Sequence, residues 1–463
     1  MTSTDPEPTT VAALTDSVRG EVLRAGDEGY DEARSVWNAM IDRYPAVILR
    51  CAGTADVVDG VRFARENGLD LSVKGGGHHV SGSAVCDDGL VLDLSPMDAV
   101  RVDPHSQTAW VQAGATWGDV DHETQAFGLA VPGGQDPNIG VAGLTLGGGV
   151  GWLSRTYGLT CDNLRSADVV TADAEVVRAS AESHPDLFWA LRGGGGNFGV
   201  VTDFEFALHE VGPEIFAGSL VYPHDAARDV ARQYREFTAD APPEARLLFG
   251  SMVLPAASYY PEAVHDTRVA IVIAFYAGPP AEGRSVLAPL RAFGDPVMDS
   301  LRGRRYTAFQ RAGDSQGAMR TYLRSQYLST LSDPAIEAIV EAAETAPSAG
   351  ATVFISPRGG AETAPATDAT AYPHRDAAHH VLVETRWRDS GRDDEHVRWT
   401  RAAHGALQPY TTGDVPLNFL TDDESEARVS AAYGDNFDRL REIKAKWDPE
   451  NVFRTPRNSE LDD

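Results

Sequence analysis

Lysine is nearly missing from this chain. It occurs three times, at Lys74, Lys444 and Lys446, so arginine supplies almost all the positive charge. The balance of 40 Lys+Arg against 68 Asp+Glu leaves a formal net charge of −28. With no basic stripe to follow a phosphate backbone, a nucleic-acid partner is not expected. The acidic residues are dispersed, apart from small clusters at Asp393-Asp394-Glu395 and Asp422 to Glu424. Such a surface stays hydrated in concentrated salt, where its self-repulsion is screened. The expectation is a halophilic protein of a salty cytoplasm. Cysteine is scarce as well. Cys51, Cys86 and Cys161 are odd in number and show no CxxC spacing, which points away from a disulfide framework and from a metal site. No apolar run approaches the roughly 18 residues of a membrane span. The opening MTSTDPEPTT lacks the basic and apolar regions of a secretory signal. A cytoplasmic protein without a membrane partner is expected.

Glycine, by contrast, is abundant and blocked. The stretch Val73 to Gly82, VKGGGHHVSG, sets Gly75, Gly76 and Gly77 directly before His78 and His79. Successive glycines let backbone N–H groups approach anionic oxygens. On its own the loop reads equally as a tight turn or as a phosphate cradle with a nucleophilic side chain at its rim. Two further glycine blocks follow, Gly133 to Gly151 and Arg192 to Gly199.

The length of 463 residues suggests roughly two to three domains. Val11 to Val22 and Tyr30 to Ile41 carry helical spacing and form a peripheral segment, residues 1–43. Ala46 to Arg50 reads as a strand, Thr54 to Asn67 as a helix capped by Thr54 and stopped by Gly68, and Leu71 to Val73 as a strand. Further strands are expected at 90–94, 99–103, 108–113, 166–171, 176–179 and 200–208, with a helix at 117–127. From Pro213 the candidate strands lengthen, at 217–222, 247–254, 268–277, 352–356 and 380–387, with helices at 225–239 and 333–346. Gly359 to Thr370 looks like an exposed loop. The fold class is α+β: a two-lobed cofactor domain over 44–212, a substrate domain with a helix-flanked antiparallel sheet over 213–425, and a C-terminal helix in 426–463 that returns to the first domain.

Three glycine blocks at these separations resemble the flavin-binding domain of the vanillyl-alcohol oxidase (PCMH-type) superfamily, and within it the berberine-bridge-enzyme-like oxidoreductases. The matching segments are VKGGGHHVSG (73–82), DPNIGVAGLTLGGGVGWLSRTYGLTCDNL (136–164), DLFWALRGGGGNFGVVTDFEF (186–206), LNFLTDDE (417–424) and YGDNFDRLREIKAKWDPENVF (433–453). The resemblance implies FAD, held by Gly75, Gly76, Gly77, Ser81, Gly82, Gly140, Gly143, Gly147, Gly148 and Val200, with Asn418 and Asn451 near the ring. It implies a bond from His78 to the flavin 8α-methyl carbon, with His79 ranked second. Where many relatives attach FAD a second time through cysteine, this chain has Asp136, so one covalent bond is expected. Cys161 is expected in the core. Three residues past Asp136, Ile139 stands where family oxidases carry Val along the oxygen path, so it either narrows that path or packs beneath the ring.

The resemblance implies hydride transfer from a small-molecule substrate to flavin N5, with O2 or another acceptor taking the electrons. A base must accept the substrate proton. The tyrosine-rich motif that carries this role in carbohydrate-oxidising relatives is Pro416-Leu417-Asn418-Phe419 here, without either tyrosine. Candidate substitutes are Tyr410, Tyr372 and Glu384, with His374 and His380 beside them. The expected substrate is a sugar or alcohol. A cyclic amine such as hydroxynicotine is the alternative within enzymes, and a non-catalytic flavin carrier is the alternative outside them.

Overall fold

Val47, Ile48 and Leu49 are fully buried because their strand, Val47–Arg50, lies inside a four-stranded sheet. The order is Glu21–Leu23, Val47–Arg50, Leu90–Asp93, Leu71–Lys74. Both Val47–Arg50 and Leu71–Lys74 run parallel to Leu90–Asp93. The helix Thr54–Asn67 makes the crossover and buries Val57, Val61 and Ala64 in the first core, each large apolar side chain contributing about 1.5–3 kcal/mol. Gly68 ends this helix at φ 62°, as expected. The start differs: Gly53 is the N-cap, without a side-chain cap, and Thr54 lies inside the helix. This computed structural model describes residues 8–254, 256, 260–313 and 317–454. Residues 1–7 of the expected N-terminal segment and 455–463 of the expected C-terminal segment lie outside the described residues.

A five-stranded antiparallel sheet completes the first half, in the order Val100–Asp103, Thr108–Gln112, Val200–Ala207, Leu164–Val170, Val176–Ser180. The second half is an antiparallel sheet ordered Met298–Asp299, Glu214–Pro223, Arg268–Tyr276, Ala245–Val253, Ala351–Pro357, His379–Trp387, Arg320–Leu328, with Arg302–Arg305 also paired to Glu214–Pro223. Its helical face packs on Ala227–Asp240, Asp333–Glu344 and Asp393–Leu407, which bury Tyr234, Ile339 and Leu407. The α+β expectation therefore holds. Among the described residues no helix is long and apolar enough to cross a membrane.

The strand Arg320–Leu328 and the helix Asp393–Leu407 of the second half are among the elements absent from the sequence reading. Arg320–Leu328 is buried almost throughout yet polar at Arg324, Ser325 and Gln326, so it shows no apolar alternation. Asp393–Leu407 did carry a signal, Trp399, Ala403 and Leu407 at helical spacing. Two local expectations are corrected. The first helix spans Pro8–Ser17 and gives way to the strand Glu21–Leu23, instead of running from Val11 to Val22. The second is only Tyr30–Ala33, because the chain then extends so that Trp37 N–H reaches Gly77 O at 3.0 Å. Gly359 to Thr370 is largely exposed, as expected, although Glu362 and Thr370 are buried.

Candidate functional site

The first two glycine blocks cross at van der Waals limit. A Cβ on Gly76 would lie 2.7 Å from Gly140 Cα, and one on Gly140 would lie 2.8 Å from Gly76 Cα. Gly77 adopts φ 62°, a conformation that only glycine takes without strain. A Cβ on Gly75 would press on Ala113 O at 3.0 Å, and one on Gly82, at φ 65°, would meet Ile41. Beyond the crossing, Gly140 begins the short helix Val141–Leu146. Gly143 on that helix is exposed and faces open space. Gly147 packs on the Asn418 amide, whose Nδ2 donates to Leu144 O at 3.1 Å. Gly148 and Gly193 pack on Tyr372, joining the second and third blocks. The three blocks thus meet in a glycine-rich seam, or furrow, between His78 and Asn418.

His78 sits at one end of it. Its ring stacks on Trp37 with centroids 4.4 Å apart and planes 22° apart. Its Nε2 lies 3.8 Å from Asp136 Oδ2, and both side chains are largely buried. That nitrogen is shielded from solvent and has no hydrogen-bond partner among the described residues. Burial lowers the His78 pKa, while the Asp136 carboxylate opposes the shift. Asp136 Oδ1 accepts from Asn138 N–H at 2.9 Å and from Asn138 Nδ2 at 3.1 Å, which fixes the carboxyl in its turn. Arg386 stands 5.1 Å from the Trp37 ring centroid and pairs with Glu384 at 2.9 Å.

The strand His379–Trp387 connects this end with the other. Its odd positions Val381 and Val383 enter the helix-side core. Period-two alternation puts His380, Leu382, Glu384 and Arg386 on the opposite face. His380 lies beside Phe419, centroids 5.1 Å apart, so the strand runs from the Asn418 end to the His78 end. His380 Nε2 is 2.5 Å from Ser325 Oγ. Burial, with Arg358 and Arg246 nearby, pushes the His380 pKa down to about 3, so the ring is neutral. Tyr372 and Tyr327 hydrogen-bond through their hydroxyls. Burial raises both phenol pKa values, although Arg358 lies 4.7 Å from the Tyr327 ring centroid and works against the rise. Under the tyrosines, Glu362 binds Arg358 at 2.6 Å and Arg246 at 3.0 Å.

Not every expected site residue joins this arrangement. Tyr410 packs on the helix side of the large sheet, beside Pro334, Ala338 and Ala406. His374 is buried, with Nε2 3.1 Å from Ala432 O. His79 turns to Ser81, Nδ1 to Oγ 3.0 Å. Val200 is buried at the start of its strand. Ile139 is half-buried against Gly134, and its carbonyl accepts from Trp117 N–H at 3.0 Å. Asn451, at φ 50°, closes the turn after the helix Phe437–Trp447, which reaches the third block through Lys444 Nζ donating to Asn197 O at 3.1 Å. Cys161 is fully buried, as expected. Trp37, Arg386 and Tyr327 were not foreseen. Arg386 had a signal, two residues from Glu384 on the same strand face. Trp37 had none.

A glycine-floored furrow with an unbonded imidazole nitrogen at one end suits a long, flat, phosphate-bearing cofactor, and comparison with known proteins names it. Residues 45–180 match the FAD binding domain family, and residues 417–458 match the family described as berberine and berberine like. The chain is an FAD-linked oxidoreductase. It belongs to the berberine-bridge-enzyme-like family. An uncharacterized FAD-linked oxidoreductase of Bacillus subtilis, YgaK, is 33% identical over 94% of this chain and 95% of its own. The (R)-6-hydroxynicotine oxidase of Paenarthrobacter nicotinovorans is 31% identical over 95% of this chain and 96% of its own. The crystal structure of the 6-hydroxy-D-nicotine oxidase of Arthrobacter nicotinovorans superposes with a TM-score of 0.85 at 29% identity, covering 95% of this chain and 97% of that one.

Proposed function

We propose that this enzyme oxidises a small hydroxylated molecule, a sugar or alcohol, with FAD tethered through His78 alone. The observation that carries this reading is the strand face holding His380, Leu382, Glu384 and Arg386 along the furrow from Asn418 to His78. Bound FAD would supply the hydride acceptor at N5, and dioxygen or another acceptor would take the electrons away. Gly75, Gly76, Gly77 and Gly140 would let the backbone approach the cofactor, and Asn418 would hold its place against Gly147. Residues 44–212 would hold the cofactor and 213–425 the substrate.

Glu384 is the residue of this face suited to take the substrate hydroxyl proton. Arg386 pairs with it at 2.9 Å and holds the carboxylate in place on this face. His380 is held neutral and acts as a hydrogen-bond partner that orients the substrate. Tyr372 is committed to Tyr327 and stays protonated. Tyr372 packs against the glycine blocks, and both protonated phenols stay beside the Arg358 guanidinium instead of exchanging protons with solvent.

Phe419 favours a second reading. An apolar ring stands where the resemblance has a tyrosine, and an amine substrate that binds unprotonated needs no base for its oxidation. A relative at 31% identity is named for hydroxynicotine. Anaerobic mixing with panels of sugars, alcohols and cyclic amines separates the readings. Bleaching of the flavin by an alcohol, slowed at least about 100-fold by Glu384→Gln, supports the first. Bleaching by amines alone, indifferent to that substitution, supports the second. No bleaching by any member would leave a flavin carrier.

A further inference from the structure

The position that differs from doubly linked relatives is occupied by a carboxylate that faces the proposed attachment residue. Asp136 Oδ2 is 3.8 Å from His78 Nε2, the nitrogen that lacks a hydrogen bond. The other oxygen, Oδ1, is held by two hydrogen bonds from Asn138. The carboxyl is thus clamped at one oxygen and directs the other at the imidazole. Trp37 covers the ring face and restricts its rotation. We infer that Asp136 is a positioning residue for flavin attachment: it orients His78 and takes up the imidazole proton as the bond to FAD forms. This rests on the single-tether reading given above.

The atoms balance as follows. A nitrogen of His78 forms a C–N bond to the 8α-methyl carbon of FAD. One hydrogen leaves the imidazole and one leaves the methyl group. Both, with two electrons, pass to dioxygen and yield hydrogen peroxide. Asp136 holds the imidazole proton until it is passed on to the reduced dioxygen. A buried imidazole is a poor place to leave that proton, because desolvation penalises the imidazolium. The charges facing the ring come from two elements. Asp136 lies on the second glycine block, while Arg386 and Glu384 lie on the strand His379–Trp387 and are paired with each other. Asp136 is the carboxylate whose oxygen stands 3.8 Å from the imidazole nitrogen, and that geometry makes it the acceptor.

The test compares holoenzymes incubated aerobically with added FAD, following the flavin that stays with acid-precipitated protein. The wild type should retain its flavin and His78→Ala should release it. Asp136→Asn keeps the Asn138 contact and should bind FAD reversibly, but attach it at least tenfold more slowly, recovering toward alkaline pH as hydroxide takes over the proton. Asp136→Ser, which keeps a turn-capping oxygen, should behave alike, and Asp136→Glu should restore part of the rate. Asn138→Ala removes one of the two bonds that clamp the carboxyl and leaves the backbone bond and the carboxylate, so it should attach more slowly than the wild type but faster than Asp136→Asn. Attachment at the wild-type rate in Asp136→Asn or in Asp136→Ser overturns the inference while the tether stands. Equal slowing by Asn138→Ala also overturns it, because Asp136 would then act through loop shape. Release of all flavin by the wild type overturns the tether and this inference together.

Discussion

Gly76 and Gly140 touch backbone to backbone, with neither able to carry a side chain. The contact fixes the spacing between the loop that presents His78 and the helix Val141–Leu146. Forcing a methyl group into such a contact costs about 1–3 kcal/mol through backbone displacement. Gly76→Ala should therefore lower the melting temperature and reduce flavin content. Gly143→Ala, where a Cβ meets open space, should leave the melting temperature of flavin-free protein unchanged but weaken FAD retention. Thermal denaturation and visible absorbance check both.

Glu362 is buried between Arg358 and Arg246. Burial works to raise its pKa, and the two guanidiniums outweigh it and hold the value at about 2. Glu362→Gln leaves both arginines without a counter-charge and should destabilise the fold by about 3–5 kcal/mol. In the wild type, a folded-state pKa below the unfolded one makes this contribution complete above about pH 4.5 and lost as pH falls toward 2. Acid denaturation followed by circular dichroism should show a transition that Glu362→Gln flattens.

Asp121 behaves in the opposite way. Burial pushes its carboxyl up to about 7, against the hydrogen bond from Gln310 at 3.0 Å. A carboxyl whose folded pKa is raised adds stability that is complete below about pH 4 and lost as pH rises through 7. Asp121→Asn should raise the melting temperature by a few degrees at pH 8, relieving a penalty on the order of 4 kcal/mol, and should bring no gain at pH 4. Gln310 also donates to Gly134 O at 3.0 Å, so the same substitution tests how firmly the second glycine block is held.

The net charge of −28 sets a fourth expectation. Self-repulsion among dispersed carboxylates weakens as the Debye length falls from about 10 Å at 0.1 M to about 3 Å at 1 M salt. The melting temperature should climb through this range and continue to climb in molar potassium chloride. A flat or falling curve removes the halophilic reading.

The cofactor half was legible because its signals are local. Glycine blocks, a β-branched strand at Val47–Arg50 and a glycine-stopped helix at Thr54–Asn67 each announce themselves within a dozen residues. The strand Arg320–Leu328 was hidden because its buried polar groups find partners far along the chain, Arg324 with Glu424 and Ser325 with His380. Trp37 was hidden for a similar reason. Nothing around it in sequence points to a histidine 41 positions later, yet Asn38 beside it bonds Val80 O at 2.7 Å and Thr321 O at 3.0 Å, placing the indole over that ring. Tyr410 shows the converse: its chemistry suited a base, and only the side of the sheet on which it lies separates it from the furrow.

The alternation along His379–Trp387 separates two selective pressures within nine residues. Val381 and Val383 serve folding, and on the proposed function Leu382, Glu384 and Arg386 on the opposite face serve what binds there. On the proposed function, a change at Leu382 or Glu384 would alter what the enzyme admits while Val381 and Val383 keep the strand seated in its core.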